Sequence, residues 1–162
     1  MKNPLIIRPF CDADAKTLYK MENEIWNSNN TPVAFNYPDA TAYLSDHSSQ
    51  NTIVAVVDNI PVASIDYHPA TSKPASRYTW TFGIGVATAY QGAGIGGQLI
   101  EHFKHVAKKN GIHKLHLRVL GTNPGAIRFY QHHGFEIEGI LKDEFFLEGV
   151  FVADYQMAYF CV

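Results

Sequence analysis

The sequence predicts a mixed α/β fold, a sheet combined with helices, on three observations. Strand-length runs of β-branched and aromatic residues recur along the chain. Helical periodicity appears between them, ended by glycine. The elements follow the order strand, helix, hairpin, strand, glycine loop, helix, strand, helix, two strands, which is the order of a mixed sheet. At 162 residues the chain is one domain by length and can bury roughly 70% of its unfolded surface.

Leu5 to Phe10 (LIIRPF) is a short strand. Asp12 or Asp14 caps the next helix, because a carboxylate accepts the free N–H groups of a first turn. Leu18, Met21 and Ile25 give that helix its apolar stripe through about Trp26. Asn27 to Asp39 is rich in Asn and Pro and has no period, so it is a loop, and a short helix follows around Ala40 to Asp46. Thr52 to His68 reads as a hairpin turning at Asp58-Asn59. Pro69 to Arg77 is another loop.

Tyr78 to Val86 (YTWTFGIGV) alternates. Tyr78, Trp80, Phe82, Ile84 and Val86 share one face; Thr79, Thr81, Gly83 and Gly85 share the other. Glycines inside a strand point to a bulge or to close approach by something else. From Gly94 to Asn110 the period is helical, through Ile95, Leu99, Ile100, Phe103, Val106 and Ala107, and Gly111 ends it. Ile112 to Leu120 is a strand. Asn123 stands at the N-cap, Pro124 at the first position and Gly134 past the end of a short helix. Phe135 to Phe160 closes the chain as two strands joined near Glu148-Gly149.

Composition excludes several classes. The formal net charge is −2, with 46% apolar and 17% charged residues and no long basic run, so neither nucleic acid nor an anionic membrane is an expected partner. Cys11 and Cys161 make no disulfide framework, and a reducing cytoplasm is the expected home. The opening MKNPLIIRPFCDADA reads as neither a signal peptide nor a membrane span. His102 and His105 lie one turn apart and His132-His133 are adjacent, but no Cys or acidic cluster joins them at ligand spacing. No metal is expected, and the helix-end pair complements the helix dipole.

The segment AYQGAGIGGQLIEHF (Ala89 to Phe103) admits two readings. As Gly92-x-Gly94-x-x-Gly97 it matches a dinucleotide fingerprint, which needs a first βαβ strand before it and an acid about 20 residues on. Here four strands come first, and Ile112 to Leu120 contains no acid. As Gln91-x-x-Gly94-x-Gly96 it is a phosphate loop, in which glycines clear the approach to backbone N–H groups at a helix start.

Two motifs, VATAYQGAGIG (Val86 to Gly96) and NPGAIRFYQHHGF (Asn123 to Phe135), resemble those of the GNAT superfamily of N-acetyltransferases. The resemblance runs from about Thr52 to the C-terminus, and is nearest to ribosomal-protein N-terminal and small-amine acetyltransferases. It implies a single GNAT-type domain over residues 1–162, with a central, twisted, mostly antiparallel sheet and helices on both faces. It implies acetyl-CoA as co-substrate and an amine as acceptor. The pyrophosphate would meet the N–H groups of Gln91, Gly92, Ala93, Gly94, Ile95, Gly96 and Gly97. Pantetheine would run along Ile84, Gly85 and Val86, with Val86 N–H on the thioester oxygen. Asn123 would cap its helix and also meet pantetheine or substrate. Tyr130 would be the general acid that protonates the departing thiolate.

The base does not carry over. Many relatives hold a Glu where this chain has Thr81, and the ribosomal-protein enzymes hold one where it has Arg118. Asp66, His68, Glu22, Glu24 and Glu144 stay open as candidates, as does a water chain. Trp26, Phe35 and Tyr37 either line an acceptor pocket or pack on the sheet. Beside the enzyme stands a GNAT-like sensor that binds acyl-CoA without turnover, against which Tyr130 argues. A nucleotide-binding oxidoreductase is weakened by the missing acid. The acceptor, the acyl chain and the oligomeric state, a homodimer included, are not fixed by the sequence.

Overall fold

A computed structural model describes residues 3–162. In chain order the elements are β1 (Ile6–Pro9), α1 (Ala15–Ile25), α2 (Ala40–Leu44), β2 (Thr52–Val57), β3 (Ile60–Pro69), β4 (Thr79–Val86), α3 (Ile95–Lys109), β5 (Lys114–Leu120), α4 (Pro124–His132), β6 (Glu136–Leu147) and β7 (Val150–Phe160). The seven strands form one sheet in the order β1-β2-β3-β4-β5-β7-β6. The pairs β1–β2, β2–β3, β5–β7 and β6–β7 are antiparallel; β4 meets β5 in parallel over Thr79–Thr81 and Lys114–His116. The mixed, mostly antiparallel sheet expected from the sequence is therefore present.

The chain divides into two compact units. The first comprises Met1–Ile25, Phe35–His68 and Phe82–Val106. Its strands carry helices on both faces, and the pleat decides which residue meets which helix. Val54 joins Leu18, Met21, Phe10 and Tyr43 in one buried cluster. Ser64, opposite Val54 in register, bonds Glu22 of α1. One residue out of step, Tyr67 and Phe82 point the other way, with ring centroids 5.1 and 5.0 Å from Phe103 of α3. Leu18 and Phe103 are fully buried, and each such side chain contributes about 1.5–3 kcal/mol of hydrophobic stabilisation. The β2–β3 turn has positive φ at both Asp58 (52°) and Asn59 (63°), the type I′ geometry that matches strand twist.

One expected cap is different. Asp12–Asp14 form a 3-10 turn ahead of α1, and the Asp14 carboxylate turns back up the chain. It accepts from Cys11 N–H at 2.9 Å and clamps Arg8 through both terminal guanidinium nitrogens at 2.8 Å. A two-point, charge-assisted partner outcompetes a first-turn N–H. Asp39, the last residue of the Asn- and Pro-rich loop, caps α2: its carboxylate accepts from Ala42 N–H at 2.9 Å.

The second unit comprises Trp26–Ala34, Pro69–Thr81 and Ala107–Val162. Both of its glycine helix stops are Schellman motifs. At Gly111 (φ 74°), Ile112 N–H reaches Ala107 C=O at 3.0 Å and Gly111 N–H reaches Lys108 C=O at 3.0 Å. At Gly134 (φ 84°), Phe135 N–H reaches Tyr130 C=O at 3.0 Å and Gly134 N–H reaches Gln131 C=O at 3.1 Å. Asn123 caps α4 as expected, accepting from Ala126 N–H at 3.3 Å. Leu115, Leu117, Phe135 and Met157 fill the core, and the opposite face of β5 is polar.

Candidate active site

In the first unit, Ile84 to Gly97 form one continuous strand, loop and helix start. The end of β4 is pinned twice. Ala87 N–H bonds Val62 C=O at 2.8 Å, and the Gln91 side-chain amide donates to Val86 C=O at 2.9 Å. The chain then passes through Gly92 (φ 76°) and Gly94 (φ 81°), with open space where either would carry a Cβ. Gln91 to Gly94 are exposed, while Ile95 is buried and anchors the helix behind them. Gln98 N–H bonds Gly94 C=O at 3.2 Å, so the N–H groups just before it are those a first turn leaves without intrahelical partners. No acid stands in that turn. The result is an exposed, positively polarised cradle for an anion.

On the α1 face of the same unit, Asp66 and Glu22 come close to β4 and to the aromatic loop. Asp66 Oδ1 lies 3.6 Å from where a Cβ on Gly83 would stand. Burial pushes the Asp66 carboxyl above its ordinary value, against the pull of His47 and His68. Glu22, buried, accepts from the Ser64 hydroxyl at 3.2 Å. Tyr43, stacked on His47 with centroids 3.8 Å apart, has a buried hydroxyl that makes no hydrogen bond. Burial, then the charges of Glu22 and Asp66, raise its phenol. Tyr37 is fixed by Asn23, which bonds both its N–H and its C=O at 2.8 Å, and burial pushes its phenol up to about 12. Tyr37 thus packs against α1 and α2, and Phe35 lies beside Tyr37. Glu24, His68 and Glu144 are exposed.

In the second unit, Tyr130 is buried, edge-on to Phe129 and Phe135 at 5.2 and 5.6 Å, and burial raises its phenol. The phenol therefore stays protonated throughout the working range. Asn123 spends its carbonyl oxygen on the α4 cap. The two positions without a Glu lie at opposite ends of one hydrogen-bond chain. Thr81 Oγ1 is 3.5 Å from His116 Nδ1, His116 Nε2 is 2.7 Å from Gln156 Oε1, and Gln156 Nε2 donates to Asp154 Oδ2 at 2.6 Å. Arg118 Nε donates to the same Asp154 oxygen at 2.6 Å and its guanidinium forms an ion pair there. Sequence reasoning missed His116, Gln156 and Asp154. Alternation does put Lys114, His116 and Arg118 on one face of β5, and Asp154 and Gln156 on one face of β7, but register came only with the fold.

Among the described residues no group of three or more His, Cys, Asp or Glu is placed to hold a metal ion. Burial and His105 depress the His102 imidazole. No helix among the described residues is long and apolar enough to cross a membrane.

A sequence model of the acetyltransferase (GNAT) family matches residues 15–135. The crystal structure of smu.2055 from Streptococcus mutans UA159 is 31% identical, covers 97% of this chain and 99% of that one, and superposes with a TM-score of 0.89. The ribosomal-protein-alanine N-acetyltransferase from Brucella melitensis is 22% identical over 96% of this chain and 99% of its own, with a TM-score of 0.83. A Salmonella typhimurium structure, yncA with its cofactor acetyl-CoA, is 19% identical over 99% of this chain and 95% of its own, with a TM-score of 0.86. At those identities the last two speak for the fold.

Proposed function

The chain belongs to the acetyltransferase (GNAT) family, and from that premise we propose that it transfers an acetyl group from acetyl-CoA to a primary amine by direct attack on the thioester. The observation that carries this reading is the exposed glycine cradle between β4 and α3, with two positive-φ glycines and no acid in the first turn. Backbone N–H groups from Gln91 to Gly97 would hold the pyrophosphate. Ile84, Gly85 and Val86 would lie along the pantetheine, with Val86 N–H polarising the thioester carbonyl. Asn123 would meet the same arm through its amide N–H groups. Tyr130 would hydrogen-bond the leaving sulfur and hand it a proton. Residues 1–162 would act as one domain, in a reducing cytoplasm where Cys11 and Cys161 stay free thiols. The acceptor is a protein N-terminus or a small amine, and self-association as a homodimer is tested by light scattering.

Two linked measurements test this. Acetyl-CoA at a hundred times its Kd should add about 2.7 kcal/mol of stability, raising Tm by roughly 5–10 °C, whereas NAD should not. Thiol release should then follow on adding benzylamine, putrescine or an Ala-initiated hexapeptide. Stabilisation without turnover on any acceptor would make the protein an acyl-CoA sensor. Stabilisation by NAD alone would overturn the assignment of the loop.

A further inference from the structure

We propose that His116 is the general base of this chain, with its Nδ1 taking the proton from the acceptor's ammonium group; the inference rests on the acetyl-transfer reading above.

The argument begins at Asp154. Its carboxylate is 1% exposed and ion-paired with Arg118, whose guanidinium has only donors, so Asp154 Oδ2 is the acceptor. Its partner on the same strand, Gln156, must therefore present the amide N–H₂, at 2.6 Å. That orientation turns Gln156 Oε1 toward His116, 2.7 Å from Nε2. A carbonyl oxygen only accepts, so Nε2 carries the hydrogen. In the neutral imidazole Nδ1 is then bare. The opposite amide orientation would set a carbonyl oxygen against the Asp154 carboxylate and is excluded by repulsion. Three residues on β5 and β7 thus fix one tautomer, by the logic through which a buried carboxylate orients a catalytic imidazole.

The bare nitrogen faces the neighbouring strand β4. Its neighbour is the Thr81 hydroxyl at 3.5 Å, at the outer limit of a hydrogen bond, so the lone pair is not committed. His116 is half-buried, and can pass its proton on to solvent. The charged groups facing it from its own and neighbouring strands come as two neutralised pairs, Arg118 with Asp154 and Lys114 with Glu138 at 2.7 Å.

The step balances. The ammonium gives one proton to Nδ1 and becomes an amine, while Nε2–H stays on Gln156. The amine lone pair forms the N–C bond at the thioester carbon. The C–S bond breaks, and the thiolate receives a proton from Tyr130, which regains one from the attacking nitrogen. The proton on His116 leaves to water, so the products are the amide, free CoA and one proton.

Two readouts decide the matter. The first needs no acceptor: ¹⁵N NMR of histidine-labelled protein above the imidazole's titration should show His116 protonated at Nε2 and bare at Nδ1. Gln156→Met should blur that preference. The second is kinetic, on the best of benzylamine, putrescine and the Ala-initiated hexapeptide. His116→Gln should lower kcat about 10²–10⁴-fold with acetyl-CoA affinity intact, and should remove the acidic limb of the kcat/KM profile. Gln156→Met should lower kcat about tenfold or more while the limb remains. A proton found on Nδ1, or a His116→Gln enzyme within tenfold of wild type with its limb unchanged, overturns the inference alone. A wild-type protein that acetylates none of these amines overturns the acetyl-transfer reading, and this inference with it.

Discussion

Asp66 and Tyr130 are both desolvated acids, and the consequences differ. For Asp66 the folded-state carboxyl is raised by burial, so the folded chain binds more protons than the unfolded chain between the two pKa values. Its ionised form therefore lowers stability at neutral pH, and the penalty fades as pH falls through the raised folded value. Asp66→Asn should make the protein more stable than wild type at neutral pH, with the difference shrinking toward about pH 4. Urea denaturation at the two pH values checks the sign, and a gap that widens on acidification contradicts it. For Tyr130, a phenol raised by burial is poorly matched to a thiolate of ordinary pKa near 8.5. The effect should thus lie at the low end for acid catalysis. Tyr130→Phe should cost about 10²-fold in kcat with little change in acetyl-CoA affinity, measured where chemistry limits the rate. An unchanged kcat would leave Tyr130 as packing. The family resemblance pointed to Tyr130, through the motif that runs from Asn123 to Phe135. The sequence could not single out His116, because what distinguishes that histidine is Gln156, 40 residues away and met only in the register of β5 with β7.

At the scale of elements, the glycine stops and primed turns were legible because each states a backbone requirement that few residues meet. Gly111, Gly134 and Gly149 all have positive φ, and Asp58-Asn59 turn β2 into β3. The cap of α1 was not legible, since Asp14 had a stronger partner in Arg8, a residue upstream on β1. The phosphate loop allows strain and charge to be separated. At Gly94 a Cβ would meet nothing within 4 Å, but φ is 81°. Gly94→Ala should cost about 1–2 kcal/mol of stability through backbone strain alone, seen in urea denaturation, while acetyl-CoA still binds. Gly94→Glu adds a carboxylate beside the pyrophosphate, where like charges repel, and should abolish CoA binding measured by calorimetry. Binding within a few-fold of wild type in folded Gly94→Glu protein would show that the loop does not hold CoA.

For the molecule as a whole, the mixed sheet could be read from the order of its elements, and the alternation of β4 from its residues. Phe82 meets α3 on one face while Gly83 meets Asp66 on the other, as the period of two requires. The acceptor was not legible, and neither was the buried cluster of Glu22, Tyr43, Ser64 and Asp66, whose members lie far apart in the chain and meet only in the fold. Acetyl transfer to an amine is tested most directly by mass spectrometry of an acetyl-CoA reaction with the amine panel, run with a thiol assay. The account predicts one amide-linked acetyl on the amine for each CoA released, with turnover lost in Gly94→Glu. CoA released without an acetylated amine, or turnover that survives Gly94→Glu, would contradict it.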